Sequence, residues 1–278
     1  MPGFSSYDDL ITEITTNGKV QNLNFMKPGG TTAAAGNWYS LARVGGMPAA
    51  ITDGAAGSGT PGAGGTALTN ASGTLNGPNV STDIKAIVTF GAVASVAQTL
   101  RLYDRLVHVS GVVLNTTGSK NIGSPTLPRY TGTDSVGNEV WLEYTTAASA
   151  TANVVHLLTY TDQAGNTGHV GGNLTSPAAT QTLNSMIGPL PLAAGDTGVQ
   201  SVETLNVDTA CTNGVGQLII LRPLVELFLP ANQWVEQDFV LQLTALPRVY
   251  DGASLCLMTE VTTTTATNFW GRVRLAYG

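Results

Sequence analysis

Between Gly29 and Ser81 the chain consists largely of Gly, Ala, Thr and Ser, with few charged and few large apolar side chains. Such a segment buries too little side chain to offset the cost of ordering its backbone, about 1–2 kcal/mol per residue. It therefore needs other surfaces to fold upon. We predict three regions: an N-terminal helical segment at 1–28, an extended arm at 29–82 and a β-sandwich domain at 83–278. An arm that becomes ordered on neighbouring protein favours an assembly protein over a catalyst.

The composition favours a β-rich globular domain and argues against nucleic-acid binding. Of 278 residues, 42% are hydrophobic and only 11% are charged. A core can therefore form, while the charged fraction falls well below the usual quarter or so. The formal net charge is −6, and the 12 Lys and Arg residues are spread along the chain. Proteins that bind phosphate backbones carry clustered basic side chains, so we expect no nucleic-acid partner.

The N-terminal region predicts one short helix, from Ser5 to Asn17. Ser5 and Asp8 have the spacing of a capping box, and Gly18 is a natural stop. A helix of this length is marginal alone in water. Its apolar stripe therefore needs a partner surface, either the chain's own sandwich or another subunit. The stripe consists of Leu10, Ile11 and Ile14.

The arm contains one dense apolar run, Gly-Asn-Trp-Tyr-Ser-Leu at 36–41. Large aromatic groups bury enough area to hold an extended segment on a sheet. We therefore predict that Trp38, Tyr39 and Leu41 contact a neighbouring subunit, together with the helix stripe. The alternative is that Trp38 and Tyr39 belong to a first core strand of the chain itself.

From Asp83 onward, apolar and polar residues alternate with the period of two that is typical of half-buried strands. The predicted buried faces are Val140, Leu142 and Tyr144; Phe239, Leu241 and Leu243; and Val273, Leu275 and Tyr277. Two segments, 133–138 and 161–166, share the form Thr-Asp-x-x-Gly-Asn. In both, an Asp that caps the turn and a Gly that accepts positive φ predict a hairpin turn.

Many strands, frequent Gly and Pro turns and the absence of sustained helical periodicity predict an all-β fold. We expect an antiparallel β-sandwich of the jelly-roll type, preceded by a short N-terminal helix and an extended Gly/Ala/Thr-rich arm. The segment 189–195, Pro-Leu-Pro-Leu-Ala-Ala-Gly, is either a long crossover or a boundary between two smaller sandwiches.

A search for catalytic or cofactor-binding motifs favours structural explanations throughout. The triplet Asp-Thr-Gly at 196–198 matches that of aspartic proteases, but it is preceded by Ala-Gly in a surface-loop context, so a turn is favoured. The three histidines lack ligand spacing; they are His108, His156 and His169. Cys211 and Cys256 lie far apart, so we expect two reduced, buried thiols. We expect no enzyme activity, no metal and no cofactor.

Nothing in the sequence predicts a membrane protein. The N-terminus lacks the basic and apolar regions of a secretory signal, and the longest apolar stretch, at 86–97, is too short to span a bilayer. We therefore expect synthesis in the cytoplasm and no membrane partner.

The order of these features resembles the virion structural proteins of tailed bacteriophages. The resemblance rests on the capped helix at 5–17, the Gly-Asn-Trp-Tyr-Ser-Leu run at 36–41 with Gly-Met-Pro at 46–48, and the Tyr-Thr-Asp-Gln-Ala-Gly-Asn turn at 160–166. It implies a multi-copy, non-enzymatic head decoration or cement protein, located in the virion after assembly in the host cytoplasm. The implied partners are the major capsid protein or other virion subunits, with the chain itself forming a homotrimer. The alternative is a tail or fibre protein that binds a receptor or glycan through exposed aromatic side chains.

Overall fold

The computed structural model describes residues 4–29, 36–51, 62, 64–81, 83–148, 155–176, 180–241 and 246–278. These residues form one short α-helix, α1 (Tyr7–Thr15), one turn of 3₁₀ helix (Gly132–Ser135) and seventeen β-strands. The strands are β1 Val20–Pro28, β2 Trp38–Ser40, β3 Thr66–Ala67, β4 Lys85–Ala94, β5 Gln98–Val113, β6 Gly118–Asn121, β7 Glu139–Thr146, β8 Val155–Asp162, β9 His169–Val170, β10 Leu174–Thr175, β11 Ser185–Ile187, β12 Val199–Thr209, β13 Val215–Leu229, β14 Val235–Asp238, β15 Arg248–Val249, β16 Leu255–Glu260 and β17 Asn268–Tyr277.

The strands are arranged in three antiparallel sheets. Sheet A has the order β1-β17-β4-β14, with β15 also paired to β4. Sheet C has the order β10-β8-β12-β6, with β9 also paired to β8. Sheet B runs β13-β7-β11-β2-β16-β5-β3, and β13 pairs with β5 as well. This additional pairing closes six strands of sheet B into a ring, because the first strand of the series is hydrogen-bonded to the sixth.

The interior of the closed sheet holds its own core. Side chains of a strand alternate between two faces, and along β7 Trp141 joins the inner cluster while Val140 and Leu142 join a cluster on the outside. The inner cluster consists of Ala42, Ile51, Leu68, Tyr103, Trp141, Met186, Ile219, Leu221, Cys256 and Met258.

The same alternation of side chains places a buried ion pair in this interior. Arg105 and Glu143 are both fully buried, and Nη2 of Arg105 lies 3.0 Å from Oε2 of Glu143. Gln217 donates a further hydrogen bond to the same carboxylate. Desolvation would raise the pKa of Glu143, but the adjacent Arg105 guanidinium outweighs it and lowers the pKa to about 2. The closed sheet is therefore held by a charged pair as well as by apolar packing.

Sheets A and C pack against different parts of the outside of sheet B. One cluster joins sheet A to sheet B through residues such as Phe90 and Leu102, and a second joins sheet C to sheet B through residues such as Leu205 and Val109. Strand β5 is 16 residues long and contributes to both clusters. The prediction of an all-β, antiparallel sandwich is confirmed. Sheet A packed on sheet B forms one sandwich-like unit, and sheet C packed on sheet B forms a second, so the two share sheet B.

The N-terminal helix is confirmed, with its cap one residue later than expected. Ser6 is the N-cap, and its Oγ accepts a hydrogen bond from the Asp9 amide at 3.1 Å. The helix lies against β17. Among the described residues, no helix has the length and apolar character needed to cross a membrane.

The boundaries between helical segment, arm and sandwich need correction. Strand β1, at 20–28, pairs along its whole length with β17 and is part of sheet A. In the predicted arm, β2 pairs with β11 and β16, and β3 pairs with β5. The surface that orders these parts of the arm is the same chain, because strand pairing satisfies their backbone groups. The remaining arm residues, at 30–35, 52–61, 63 and 82, lie outside the described part of the chain.

The predicted alternation holds in one of three runs. In β17, Val273 and Leu275 are buried while Arg272 is exposed, as expected, but the alternation ends there, because Ala276 is buried and Tyr277 is half-buried. In β7, both faces are buried, because the closed sheet covers one and sheet C the other. The run starting at Phe239 is not a strand at 239–241: it forms a turn in which Oδ1 of Asp238 accepts the amides of Val240 and Leu241. Leu243 lies outside the described residues.

Both Thr-Asp-x-x-Gly-Asn segments form turns, but only one joins paired strands. In 161–166, Oδ1 of Asp162 accepts the amides of Ala164 and Asn166, each at 2.8 Å, and Gly165 has a φ of 88°. This turn connects β8 to β9. The other segment leads from the 3₁₀ turn into β7, and no hairpin is formed there. Gly137 has the predicted positive φ, 85°, but the Asp134 carboxylate accepts a hydrogen bond from Tyr250 instead of capping the turn.

Candidate interaction surface

The outer face of sheet A exposes a row of large apolar side chains. Met26 pairs directly with Trp270 across β1 and β17, and Trp270 pairs with Val93 of β4. Directly opposed residues of antiparallel strands lie on the same face. Met47 extends the row, because its backbone exchanges two 2.7 Å hydrogen bonds with Met26. Met26, Met47 and Trp270 are 44–49% exposed.

A second tryptophan, Trp234, lies over the same face, at the level of Arg272, which is two residues after Trp270 in β17. Gly91 pairs with Arg272 and with Glu236, and the ring of Trp234 occupies the space outside it. A Cβ at Gly91 would lie 2.5 Å from Cζ2 of that ring, so only glycine leaves room for it. The guanidinium of Arg272 lies 5.6 Å from the centre of the Trp234 ring, within cation–π range. We call Met26, Met47, Trp234 and Trp270 the outer patch.

Polar side chains border the outer patch. Nη2 of Arg272 forms a 3.0 Å ion pair with Oε2 of Glu236. In the register of sheet A, Asn24 lies opposite Arg272 on the other side. The next pairs along the strand are Arg274 with Asn22 and with Thr89. The face therefore combines exposed aromatic and thioether groups with donors and acceptors, a composition that suits binding to another surface.

The structure places most of the predicted interface residues in the chain's own core. Leu10 of the helix stripe is buried in the cluster between sheets A and B, and Ile14 packs against it. Tyr39 and Leu41 are buried in that same cluster. Of the two partners that the sequence left open, the chain's own sandwich is the one that these residues contact.

Besides the partly buried Ile14, two of the predicted residues retain exposed area. Ile11 is 54% exposed on the helix surface. Trp38 is half-buried and packs edge-on to Trp141 with ring centres 5.7 Å apart. The guanidinium of Arg101 lies 4.5 Å from the centre of the Trp38 ring. Trp38 is therefore part of a core strand, β2, rather than an anchor of an extended arm.

The exposure of Trp234 and Trp270 was not predicted from the sequence, although the alternation along β17 contains a signal for Trp270. Trp270 lies on the same face of β17 as Arg272 and Arg274. The opposite face carries the buried residues Phe269, Val273 and Leu275. A tryptophan on the polar side of an alternating strand indicates an exposed aromatic group. Nothing in the sequence shows that Met26, Met47 and Trp234 lie beside it, because these residues come from distant parts of the chain.

The residues considered for catalysis are buried or hydrogen-bonded within the fold. Asp196 of the Asp-Thr-Gly triplet accepts hydrogen bonds from Tyr160 and His169. His108 is buried in the sheet, and burial lowers its pKa to about 3. Cys211 and Cys256 are both buried free thiols, and burial raises the pKa of Cys256 to about 12.

Comparisons with known proteins assign no family. No protein-family model matches the chain, and none of the curated proteins does either. One solved structure was found, the VP1 protein of Trichodysplasia spinulosa-associated polyomavirus in complex with 6'-sialyllactose. It is 10% identical over 93% of this chain and 96% of that chain, with a TM-score of 0.10. A TM-score this low carries no argument about fold or function.

Proposed function

We propose that the protein is a non-enzymatic structural component of a phage virion, a head decoration or cement protein that binds neighbouring subunits. The outer patch carries this proposal. Four large side chains, two of them Trp, are exposed on one face of sheet A, beside polar side chains such as Asn24 and Arg272. Trp, Met and Arg are enriched in the cores of protein interfaces, and exposed apolar patches mark interaction sites.

The proposed partners are the major capsid protein or other virion subunits, with this chain present as a homotrimer. The described arm residues pack on their own chain, so the contact is assigned to sheet A instead of the arm. Each copy contributes a modest contact, since the outer patch is small and association entropy opposes binding. Many copies on one shell multiply that contact.

Co-sedimentation with shells of the major capsid protein from the same phage tests this proposal. The matched variants are Trp270→Ser in the outer patch and Val170→Ser, a similarly exposed residue in β9 of sheet C. We expect the wild type and Val170→Ser to pellet with shells and Trp270→Ser to stay in the supernatant. Circular dichroism verifies that both variants are folded. A wild-type chain that does not pellet, or a Trp270→Ser chain that pellets equally, contradicts the proposal.

Light scattering after size-exclusion chromatography tests the copy number separately. A homotrimer has about three times the chain mass of 28.7 kDa. The mass of a single chain at all concentrations contradicts the trimer. It does not contradict binding to shells, which the sedimentation assay tests.

Glycan binding is the second candidate, and the pairing of two exposed tryptophans with Arg272 and Glu236 favours it. Aromatic rings stack on sugar faces, and the adjacent charged groups could hydrogen-bond hydroxyls. A glycan array probed with the wild type and Trp234→Ser distinguishes this function. Glycan signal that disappears in Trp234→Ser, without shell binding by the wild type, favours the receptor-binding alternative.

A further inference from the structure

Three ionisable side chains, two from one hairpin and one from a later loop, meet at the edge of sheet C. Asp162 ends β8, His169 begins the paired strand β9, and Asp196 lies in the loop before β12. Nδ1 of His169 lies 2.8 Å from Oδ2 of Asp196, and Nε2 lies 3.5 Å from Oδ2 of Asp162. One nitrogen and two carboxylate oxygens from these residues all lie within 4.8 Å of one another.

The charges in this cluster are not balanced by a basic side chain. The Asp162 and Asp196 side chains are only 4% and 9% exposed. Among the residues that the structure describes, neither forms an ion pair with Lys or Arg, and the ionisable base that each approaches is His169. The imidazole therefore lies between two carboxylates, with one oxygen near each of its nitrogens.

Both carboxylates are held in place by further hydrogen bonds. Oδ1 of Asp162 accepts two backbone amides, and its Oδ2 accepts the Asn166 side-chain amide at 2.8 Å. Tyr160 donates its hydroxyl hydrogen to Asp196 and accepts the Ala193 amide at 2.7 Å. Such outer contacts orient metal-binding carboxylates in known sites. The His169 side chain is 32% exposed, which leaves a path from solvent.

We propose that Asp162, His169 and Asp196 bind one divalent transition-metal ion, with Zn²⁺ as the natural occupant. One imidazole nitrogen and two carboxylate oxygens are a donor set that Zn²⁺ accepts, with water in the fourth position. Bonds of about 2.0–2.2 Å place the ligands of a tetrahedral Zn²⁺ roughly 3.3–3.6 Å apart. The 3.5 Å between Nε2 of His169 and Oδ2 of Asp162 has that value. Asp196 contacts the other imidazole nitrogen, Nδ1, and binds the same ion only after leaving that contact.

The ion would join the β8–β9 turn to the loop before β12, so it would stabilise the edge of sheet C. This site is independent of the outer patch, which lies on sheet A. Binding of a ligand to the folded state alone raises the melting temperature. For a chain of this length, Zn²⁺ at 100 times its dissociation constant raises it by roughly 5 °C.

Titration of the full chain with ZnCl₂ alone tests the proposal, using calorimetry and thermal unfolding. We expect one Zn²⁺ per chain and a raised melting temperature. His169→Gln should lose both effects, whereas Asp208→Asn, which alters an exposed carboxylate in the adjacent β12, should keep both. The absorption spectrum of added Co²⁺ should show tetrahedral coordination in the wild type and not in His169→Gln. A wild type that binds no Zn²⁺ up to 100-fold molar excess overturns the proposal, as does His169→Gln binding as tightly as the wild type.

Discussion

A substitution at Leu41 tests whether the predicted arm folds on its own chain or needs a partner. Its side chain is 0% exposed and packs in the cluster between sheets A and B. Its amide donates to the Leu257 carbonyl at 3.0 Å. If this packing exists in the isolated chain, Leu41→Ala removes buried methyl groups and leaves a cavity, with an expected loss of about 2–5 kcal/mol in unfolding free energy.

The size of the thermal effect follows from the chain length. An unfolding entropy of about 2.1 cal/mol/K per residue over 278 residues gives about 0.6 kcal/mol/K. A loss of about 2–5 kcal/mol therefore lowers the melting temperature by roughly 3–9 °C. Urea unfolding, followed by circular dichroism on the isolated chain at low concentration, gives the same comparison as a shift in midpoint.

The matched control is Ile11→Ala on the exposed side of the helix. Ile11 is 54% exposed, so its replacement should change stability by only about 0.5 kcal/mol or less. If Leu41→Ala unfolds with the same midpoint as the wild type and as Ile11→Ala, then Leu41 is not packed in the isolated chain. That result would refute the placement of residues 36–51 on this chain's own sheets.

Two further predictions concern buried charges. Glu143→Gln leaves Arg105 buried without its counterion and should cost about 3–5 kcal/mol. Because the pKa of Glu143 falls from 4.5 to about 2 on folding, its contribution is complete above pH 4.5 and is lost toward pH 2. The stability gap between wild type and variant should therefore narrow in that range, and a constant gap in urea unfolding argues against the pair. Burial lowers the pKa of Lys27 from 10.5 to about 8. As the pH rises, the folded chain therefore releases the Lys27 proton before the unfolded chain does. Wild-type stability should rise relative to Lys27→Met between pH 8 and 10.5, and parallel pH profiles would contradict this assignment.

Local chemistry along the chain was predictable wherever neighbours in sequence suffice. The cap and stop of α1 depend on residues within a few positions of each other, and so does the Asp162 turn. The burial of Val273 and Leu275 follows from the period of two in a strand with one solvent-facing side. The class of the fold also follows from the sequence, because strand-forming runs and Gly-rich turns recur along it.

The arm illustrates where such reasoning fails. Its composition predicts that it cannot fold alone, but composition does not identify the surface that orders it. Strand β2 is inserted between β11 and β16, which come from residues 185–187 and 255–260. Backbone hydrogen bonds from those distant strands, with burial of Tyr39 and Leu41, supply the stabilisation that the segment lacks by itself.

The sequence alone determined that this protein is an antiparallel β protein with a short capped helix and a Gly-, Ala-, Thr- and Ser-rich segment that has little side chain to bury. Only the tertiary structure decided that sheet B closes on itself, that Trp234 and Trp270 share an exposed face, and that Asp162, His169 and Asp196 meet. The physical reason is that each of these features depends on strand register between remote segments. A shift of one residue would exchange the buried and exposed faces, and no local pattern fixes which strands pair.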